Sequence, residues 1–268
     1  MLNQTMPLYE TGNETLRIAD FLAALRSLGV RRGDALLVHS DVGVFGKLAS
    51  PDRQALLGAL VGALQDAVGA EGTIVMPTFT YSFCKSETFS MDQTPSTVGA
   101  LTEFFRSLPD VRRTLHPIFS FALWGALRDR WLKVGKDSFD EDSLFARLRE
   151  QHARIIFFGA PFQSCTFVHY IEQQAGVPYR YPKTFSGRIR TSAGEYEDSC
   201  TYFVRDLNQD LLPDFHRLEE RLIQTGALQR VALGHGVMAI VGADAMHETG
   251  LALLQEDIYS LTDKKPAV

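Results

Sequence analysis

The chain has 268 residues, 45% hydrophobic and 22% charged, with 27 Lys and Arg against 32 Asp and Glu for a formal net charge of −5. That length can bury a full core without disulfide or metal staples, and the acidic balance argues against a general nucleic-acid binder, which shows a basic excess. The three cysteines, Cys84, Cys165 and Cys200, are far apart and form neither a disulfide framework nor paired zinc ligands.

The opening MLNQTMPLYETGNET lacks the basic-then-apolar layout of a secretory signal. No apolar run approaches the roughly 20 residues that span a bilayer. A cytoplasmic protein with no membrane and no nucleic-acid partner is the expectation. From there, short apolar β-type runs alternate with helical periods, the mark of α/β layering. The spacing predicts a helix over Thr15 to Leu28, with Leu16, Ile18, Ala19, Leu22, Leu25 and Leu28 on one broad face. Ala35-Leu-Leu-Val-His-Ser40 reads as a buried strand, about Pro51 to Val68 as a helix, and Thr73-Ile-Val-Met76 as a strand broken at Pro77. A helix over about Val98 to Leu108 and a strand over Phe119 to Trp124 follow.

Arg154-Ile-Ile-Phe-Phe-Gly159 is the clearest core strand, and it leads through Ala160 to Ser164 into a helix at about Cys165 to Ala175. Thr184 to Arg190 and Tyr196 to Arg205 alternate about Ser192-Ala-Gly194, an antiparallel hairpin, and a helix over about Asp210 to Thr225 comes next. Val231 to Val241 is two short strands about Gly234-His-Gly236, and Asp244 to Leu261 is mostly helical. With no repeat or long linker, the expectation is one domain over 1–268, the hairpin and its helix at about 184–226 forming an accessory layer.

Several segments carry chemistry. His39-Ser40-Asp41 ends the first buried strand, where ligands collect in open α/β sheets, and the Ser40 to Gly46 loop could offer amides to a pyrophosphate. It is neither a P-loop nor a GxGxxG fingerprint, so an ordinary strand-to-loop junction is the plainer account. Thr78, after Met76-Pro77, puts a hydroxyl at the sheet's edge, though turn chemistry alone explains it. Arg112-Arg113 could meet phosphates or form a solvated face. His116 before Pro117 is held extended.

In Cys165-Thr-Phe-Val-His169 with Glu172, the histidine and glutamate share one helix face at i, i+3, and Thr166 lies a turn earlier on that side. A carboxylate there orients an imidazole; simple pairing of polar residues is the rival account. Arg205 and Asp206 are a structural pair or part of a pocket. The Asp137 to Asp142 stretch reads equally as a capping loop before Ser143. No GxSxG elbow and no HExxH or clustered metal-ligand set is present.

Leu37-Val-His-Ser40, Gly72-Thr-Ile-Val-Met-Pro77, Arg113-Thr-Leu-His-Pro117 with Ser120-Phe121, Phe158-Gly159, Thr166-Phe-Val-His169 with Glu172, and Val177-Pro-Tyr179 occur in that order. Together they resemble the aminoglycoside 3-N-acetyltransferase family, from about residue 15 to the C-terminal helix. The resemblance implies an α/β fold distinct from the GNAT acetyltransferases, a mixed sheet flanked by helices with the accessory hairpin. It also implies acetyl-CoA as donor and direct transfer to an amine, and with no metal-ligand motif in the chain no metal is expected.

By the same resemblance His169 is the general base, with Glu172 and Thr166 as its catalytic companions. His39, Ser40, Thr78, Arg113, His116 and Ser120 are expected beside the cofactor, and Tyr81, Asp142, Tyr202 and Asp206 beside the acceptor. The chain departs from relatives acting on aminoglycosides at Val204, where they often carry a glutamate, and at Thr80-Tyr-Ser-Phe83, which replaces another acidic position. Polycations need carboxylates to pair with. The small-molecule acceptor is therefore open between an aminoglycoside and an amino sugar or other biosynthetic amine. A non-enzymatic acyl-CoA-binding role is the third reading, and a homodimer is admitted.

Overall fold

The structure is a computed structural model and describes residues 3–264. Residues 1, 2 and 265–268, which the expected domain takes in, lie outside the described residues.

The chain enters on two short antiparallel strands, β1 (Pro7–Glu10) and β2 (Thr15–Arg17), and passes straight into α1 (Ile18–Ser27). The helix expected from Thr15 thus begins at Ile18. Pairing with β1 keeps Thr15–Arg17 extended, and the Arg17 N–H donates to Asp20 Oδ2 at 2.7 Å, which fixes the helix start.

Then come β3 (Ala35–Ser40), β4 (Lys47–Leu48), α2 (Arg53–Val68), β5 (Thr73–Pro77), β6 (Phe89–Ser90), α3 (Ala100–Arg106), β7 (Arg112–Arg113) and β8 (Phe121–Gly125). The middle of the chain forms α4 (Arg128–Trp131), α5 (Leu144–Glu150), β9 (Arg154–Phe158) and α6 (Phe167–Ala175). The rest is β10 (Arg180–Thr191), β11 (Gly194–Arg205), α7 (His216–Gln224), β12 (Gln229–Leu233), β13 (Gly236–Gly242) and α8 (Ala243–Glu256).

Seven strands form a mixed sheet in the order β12-β13-β9-β3-β5-β8-β7. β9, β3 and β5 run parallel, and the outer strands pair antiparallel. Alternate residues of each strand serve opposite faces. Leu37, Val75, Ile155 and Phe157 join α5, α6 and α8 in one core, while Leu36, Val38, Ile74, Ile156 and Phe158 join α1 and α2 in the other. Each such side chain contributes roughly 1.5–3 kcal/mol by leaving water, so both faces are firmly closed by helices.

The chain leaves β3 toward α2 on one face and β9 toward α6 on the other. A crevice therefore opens at the carboxyl ends of these neighbouring strands. Gly159 lets the two ends approach: its φ is +80°, and a Cβ there would stand 2.3 Å from the Asp41 carbonyl oxygen.

Four expected boundaries shift. The strand expected from Phe119 starts at Phe121, because the Ile118 and Phe119 N–H groups donate to His116 Nδ1. The hairpin is longer than expected and pairs Arg180 with Arg205 through Thr191 with Gly194. Pro182 is tolerated because β6 covers the other edge of β10 only at Ile189 and Arg190. The helix expected from Asp210 starts at His216, since Pro213 bridges to Thr262 and the Asp214 N–H donates to the Leu261 carbonyl. The last helix ends at Glu256, followed by extended Asp257. Ser143 does close the acidic stretch as the cap of α5, its Oγ accepting from the Ala146 N–H at 3.3 Å. Among the described residues no helix is long and apolar enough to cross a membrane.

Candidate active site

A cavity of about 960 Å³ occupies the crevice, at the upper end of the range of about 300–1,000 Å³ for small-molecule sites. His39, Ser40, Asp41 and Gly43 line it from the end of β3, Ala160, Pro161, Ser164 and Thr166 from the turn after β9, and Tyr81 from the loop after β5. Lys47 and Arg53 add two cationic groups to the lining, and Leu48, Leu56 and Leu57 an apolar side. His39 Nε2 and Ser40 Oγ are buried without a hydrogen-bond partner, an arrangement that costs stability until something binds them. Burial pushes the His39 imidazole down to about 4, so it is neutral at physiological pH; its ring stacks on Phe157 at 5.7 Å. Tyr81 has φ +56°, a strained backbone for an aromatic residue, and its ring is held edge-on by Phe119 at 5.5 Å.

Thr166 precedes α6, its carbonyl accepting the His169 N–H at 3.0 Å. One turn on, His169 Nδ1 donates to Glu172 Oε2 at 2.5 Å, and Arg180 Nε lies 2.8 Å from the same oxygen. The Glu172 side chain is 0% exposed, Arg180 3% and His169 18%. Burial alone would raise the Glu172 carboxyl, yet His169 and Arg180 hold it below its ordinary value. Burial, helped by the Arg180 guanidinium, keeps His169 below its usual 6.5 although Glu172 pulls it up. Since an ionised carboxylate only accepts, the proton of neutral His169 resides on Nδ1 and leaves Nε2 as a lone-pair acceptor. Phe139 and Phe215 flank the ring, each at 5.9 Å.

His39, Ser40, Tyr81 and Thr166 thus meet at one cavity, with His169 and Glu172 a turn away. The other residues expected beside the cofactor go elsewhere. Thr78, Arg113, His116 and Ser120 are buried behind the cavity wall and do not line it. Arg113 donates through Nε to Ser120 Oγ at 3.0 Å, through Nη1 to the Thr94 carbonyl at 2.6 Å, and through Nη2 to the Thr78 carbonyl at 2.8 Å. With its donors so engaged, the expected phosphate contact gives way to a clamp on the chain. Ser120 Oγ donates to the Thr78 carbonyl at 2.7 Å. His116, pushed to about 4 by burial, accepts two backbone N–H groups.

Three residues expected beside the acceptor, Asp142, Tyr202 and Asp206, also miss the cavity lining. Asp142 is exposed on a loop whose carbonyl accepts the Gly135 N–H. The Asp206 carboxylate closes its own turn onto Asn208 and Gln209. Tyr202 packs on Phe119 at 4.9 Å. Cys165 is buried and its thiol is pushed up to about 12, so it is no thiolate nucleophile at neutral pH. Sequence reasoning missed Arg180, which directly follows the quoted Val177-Pro-Tyr179. Its signal, a buried charge needing a partner, appears only once Glu172 is known to be buried.

The sequence profile described as aminoglycoside 3-N-acetyltransferase matches residues 37–255. The chain is 28% identical over 246 residues to aminoglycoside N(3)-acetyltransferase IV of Salmonella sp, covering 90% of this chain and 88% of that one. It is 29% identical over 180 residues to an SPbeta prophage-derived aminoglycoside N(3')-acetyltransferase-like protein of Bacillus subtilis, covering 58% of this chain and 64% of that protein's length. Its fold is similar to that of AAC-IIIb, solved as a binary complex with CoASH, at a TM-score of 0.77 and 22% identity, over 93% of this chain and 98% of that one.

Proposed function

Because the chain belongs to the aminoglycoside 3-N-acetyltransferase family, we propose that it transfers an acetyl group from acetyl-CoA directly to an amine, with His169 as the general base. The observation that carries the reading is the Glu172–His169 pair, locked by Arg180 and one turn from the cavity.

The cavity suits the donor. Lys47 and Arg53 would receive phosphates, the Ser40 to Gly46 loop would offer amides, and His39 Nε2 and Ser40 Oγ would gain the partners they lack. Acetyl-CoA supplies the acetyl group as a thioester. An amine must be unprotonated to attack, so His169 Nε2 takes a proton from the acceptor nitrogen as the C–N bond forms. Glu172 stabilises the resulting imidazolium, and His169 then returns the proton as the thiol leaves. Thr166, at the cavity edge, donates its hydroxyl to the charge that builds on the carbonyl oxygen. Arg180 keeps Glu172 ionised and His169 neutral before the reaction. The raised Cys165 thiol favours direct transfer over an acetyl-enzyme.

The test is thiol release from acetyl-CoA over a panel of amines, with calorimetry of acetyl-CoA binding alongside. His169→Ala should lower turnover about 10²–10⁴-fold while acetyl-CoA still binds. Undiminished turnover in that variant removes His169 as the base.

A further inference from the structure

His169 is held at three points. Its Nδ1 donates to Glu172 Oε2 at 2.5 Å, which pins one ring atom and leaves the ring free to turn about that bond. Two aromatic rings stop the turn. Phe139 and Phe215 stand against His169 at 5.9 Å each, both inclined at 71° to its plane, the edge-on contact that aromatic rings prefer. The direction in which Nε2 points therefore depends on both flanks.

The two flanks are secured unequally. Phe139 is packed by Phe119 at 5.1 Å, Phe145 at 5.3 Å and Tyr202 at 6.1 Å. Its N–H also donates to Asp137 Oδ1 at 2.9 Å, and the same oxygen accepts from the Gln173 amide of α6 at 2.9 Å. The Phe215 ring meets no second aromatic ring among the described residues, so its place depends more on its backbone. Gln163, in the turn between β9 and α6, holds that backbone twice. Its Oε1 accepts the Phe215 N–H at 2.9 Å, and its Nε2 donates to the Pro213 carbonyl at 2.9 Å. The Phe215 carbonyl opens α7 by accepting the Glu219 N–H, and Pro213 and Asp214 are tied to Thr262 and Leu261 after α8. Gln163 is thus the hydrogen-bonded tie between Phe215 and the chain that leads into α6.

We propose that Gln163 is a positioning residue for the general base: by fixing Phe215 it sets the tilt of the His169 ring and so the direction of Nε2. This assignment rests on the acetyl-transfer reading above and adds a residue outside the cavity to it. Gln163 is exposed, and neither it nor Phe215 lines the cavity, although Ser164 beside Gln163 does. Phe215, itself buried, also keeps water from the imidazole, and burial is the largest cause of the lowered His169 titration. The charges acting on His169 are Glu172 of α6 and Arg180 of β10, and the Glu172 carboxylate that joins them is bonded to neither Gln163 nor Phe215.

The experiment takes Gln163→Ala, Phe215→Leu and the double variant. Nuclear magnetic resonance follows the His169 imidazole, identified by the signal that His169→Ala lacks. Its titration should move up toward 6.5 in either single variant, and in the double variant no further than in Phe215→Leu. Thiol release with the panel of amines is read in the same proteins. In Gln163→Ala kcat should fall about tenfold, part of the roughly hundredfold loss that a 1 Å misplacement brings, while KM for acetyl-CoA stays unchanged. Gln163→Glu keeps an acceptor for the Phe215 N–H and should recover part of both effects. An unmoved His169 titration in Gln163→Ala, or shifts that add in the double variant, overturns the proposal. Because Gln163 is exposed, its single variant decides even where Phe215→Leu does not fold. A shifted titration with kcat unchanged keeps the hold of Gln163 on the ring and removes His169 as the base instead.

Discussion

At the end of β3, His39 Nε2 and Ser40 Oγ are buried with no partner, whereas along α6 neutral His169 donates to the Glu172 carboxylate, which Arg180 pairs with from the hairpin. The first lines the cavity and the second begins one turn from it, beyond Thr166, and they are built by different means. The strand-end region is an arrangement of loops and open polar atoms, unfavourable when empty and relieved when something binds. The His169 cluster pairs a buried carboxylate with a guanidinium and an imidazole, although Glu172 Oε1 itself has no hydrogen-bond partner among the described residues, and it stabilises one protonation state of one ring. A binding surface can leave groups unsatisfied; a proton-transfer group must have its tautomer and charge set beforehand.

Breaking the paired region should cost most. Arg180→Ala leaves the Glu172 carboxylate buried and uncompensated, and unfolding in urea should show a loss of about 3–5 kcal/mol. Adding Glu172→Gln to that variant should restore part of it, because the stranded charge is gone. A loss below about 1 kcal/mol in Arg180→Ala would put the cluster on a par with a surface ion pair and erase the contrast.

A pH profile sharpens the comparison at intermediate size. The base must be neutral, and His169 titrates below 6.5, so kcat/KM should hold at neutral pH and fall as pH drops through that lowered value. Removing the charge that raises it, in Glu172→Gln, should move the acidic limb to lower pH. Arg180→Gln removes a charge that lowers it and should move the limb to higher pH. Limbs moving the same way would separate this titration from His169.

The smallest effect belongs to the unmatched region. His39→Leu removes the orphaned nitrogen and should stabilise the free protein at neutral pH by about 1 kcal/mol, while weakening acetyl-CoA in calorimetry. The His39 imidazole falls from 6.5 unfolded to about 4 folded. The unfolded chain therefore binds a proton over that window that the folded chain does not, and stability declines as pH falls from 6.5 toward 4. That decline should be shallower in His39→Leu. A destabilised variant at neutral pH would show that the ring is matched after all.

Much of the fold was legible because apolar period is local. Ala35 to Ser40 emerged as expected, Arg154 to Phe158 is the core strand its run suggested, and α6 carries His169 and Glu172 on one face. The β1–β2 pair was not legible, since Thr15–Arg17 carries a helical period and only a partner strand holds it extended. Nor were the places of Thr78, Arg113 and Ser120. A polar residue after a strand end looks alike whether it faces the cavity or the chain behind it.

By itself, then, the sequence determined the alternation of strands and helices, the strand ends where ligands collect and the helical spacing of His169 and Glu172. Each follows from residues a few positions apart. Tertiary structure alone decided that Arg180 closes on Glu172, that Arg113 clamps carbonyls, and that Gln163 ties down Phe215 beside His169. Those outcomes depend on which distant segments packing brings together, because a buried charge is held by whichever partner the fold places beside it.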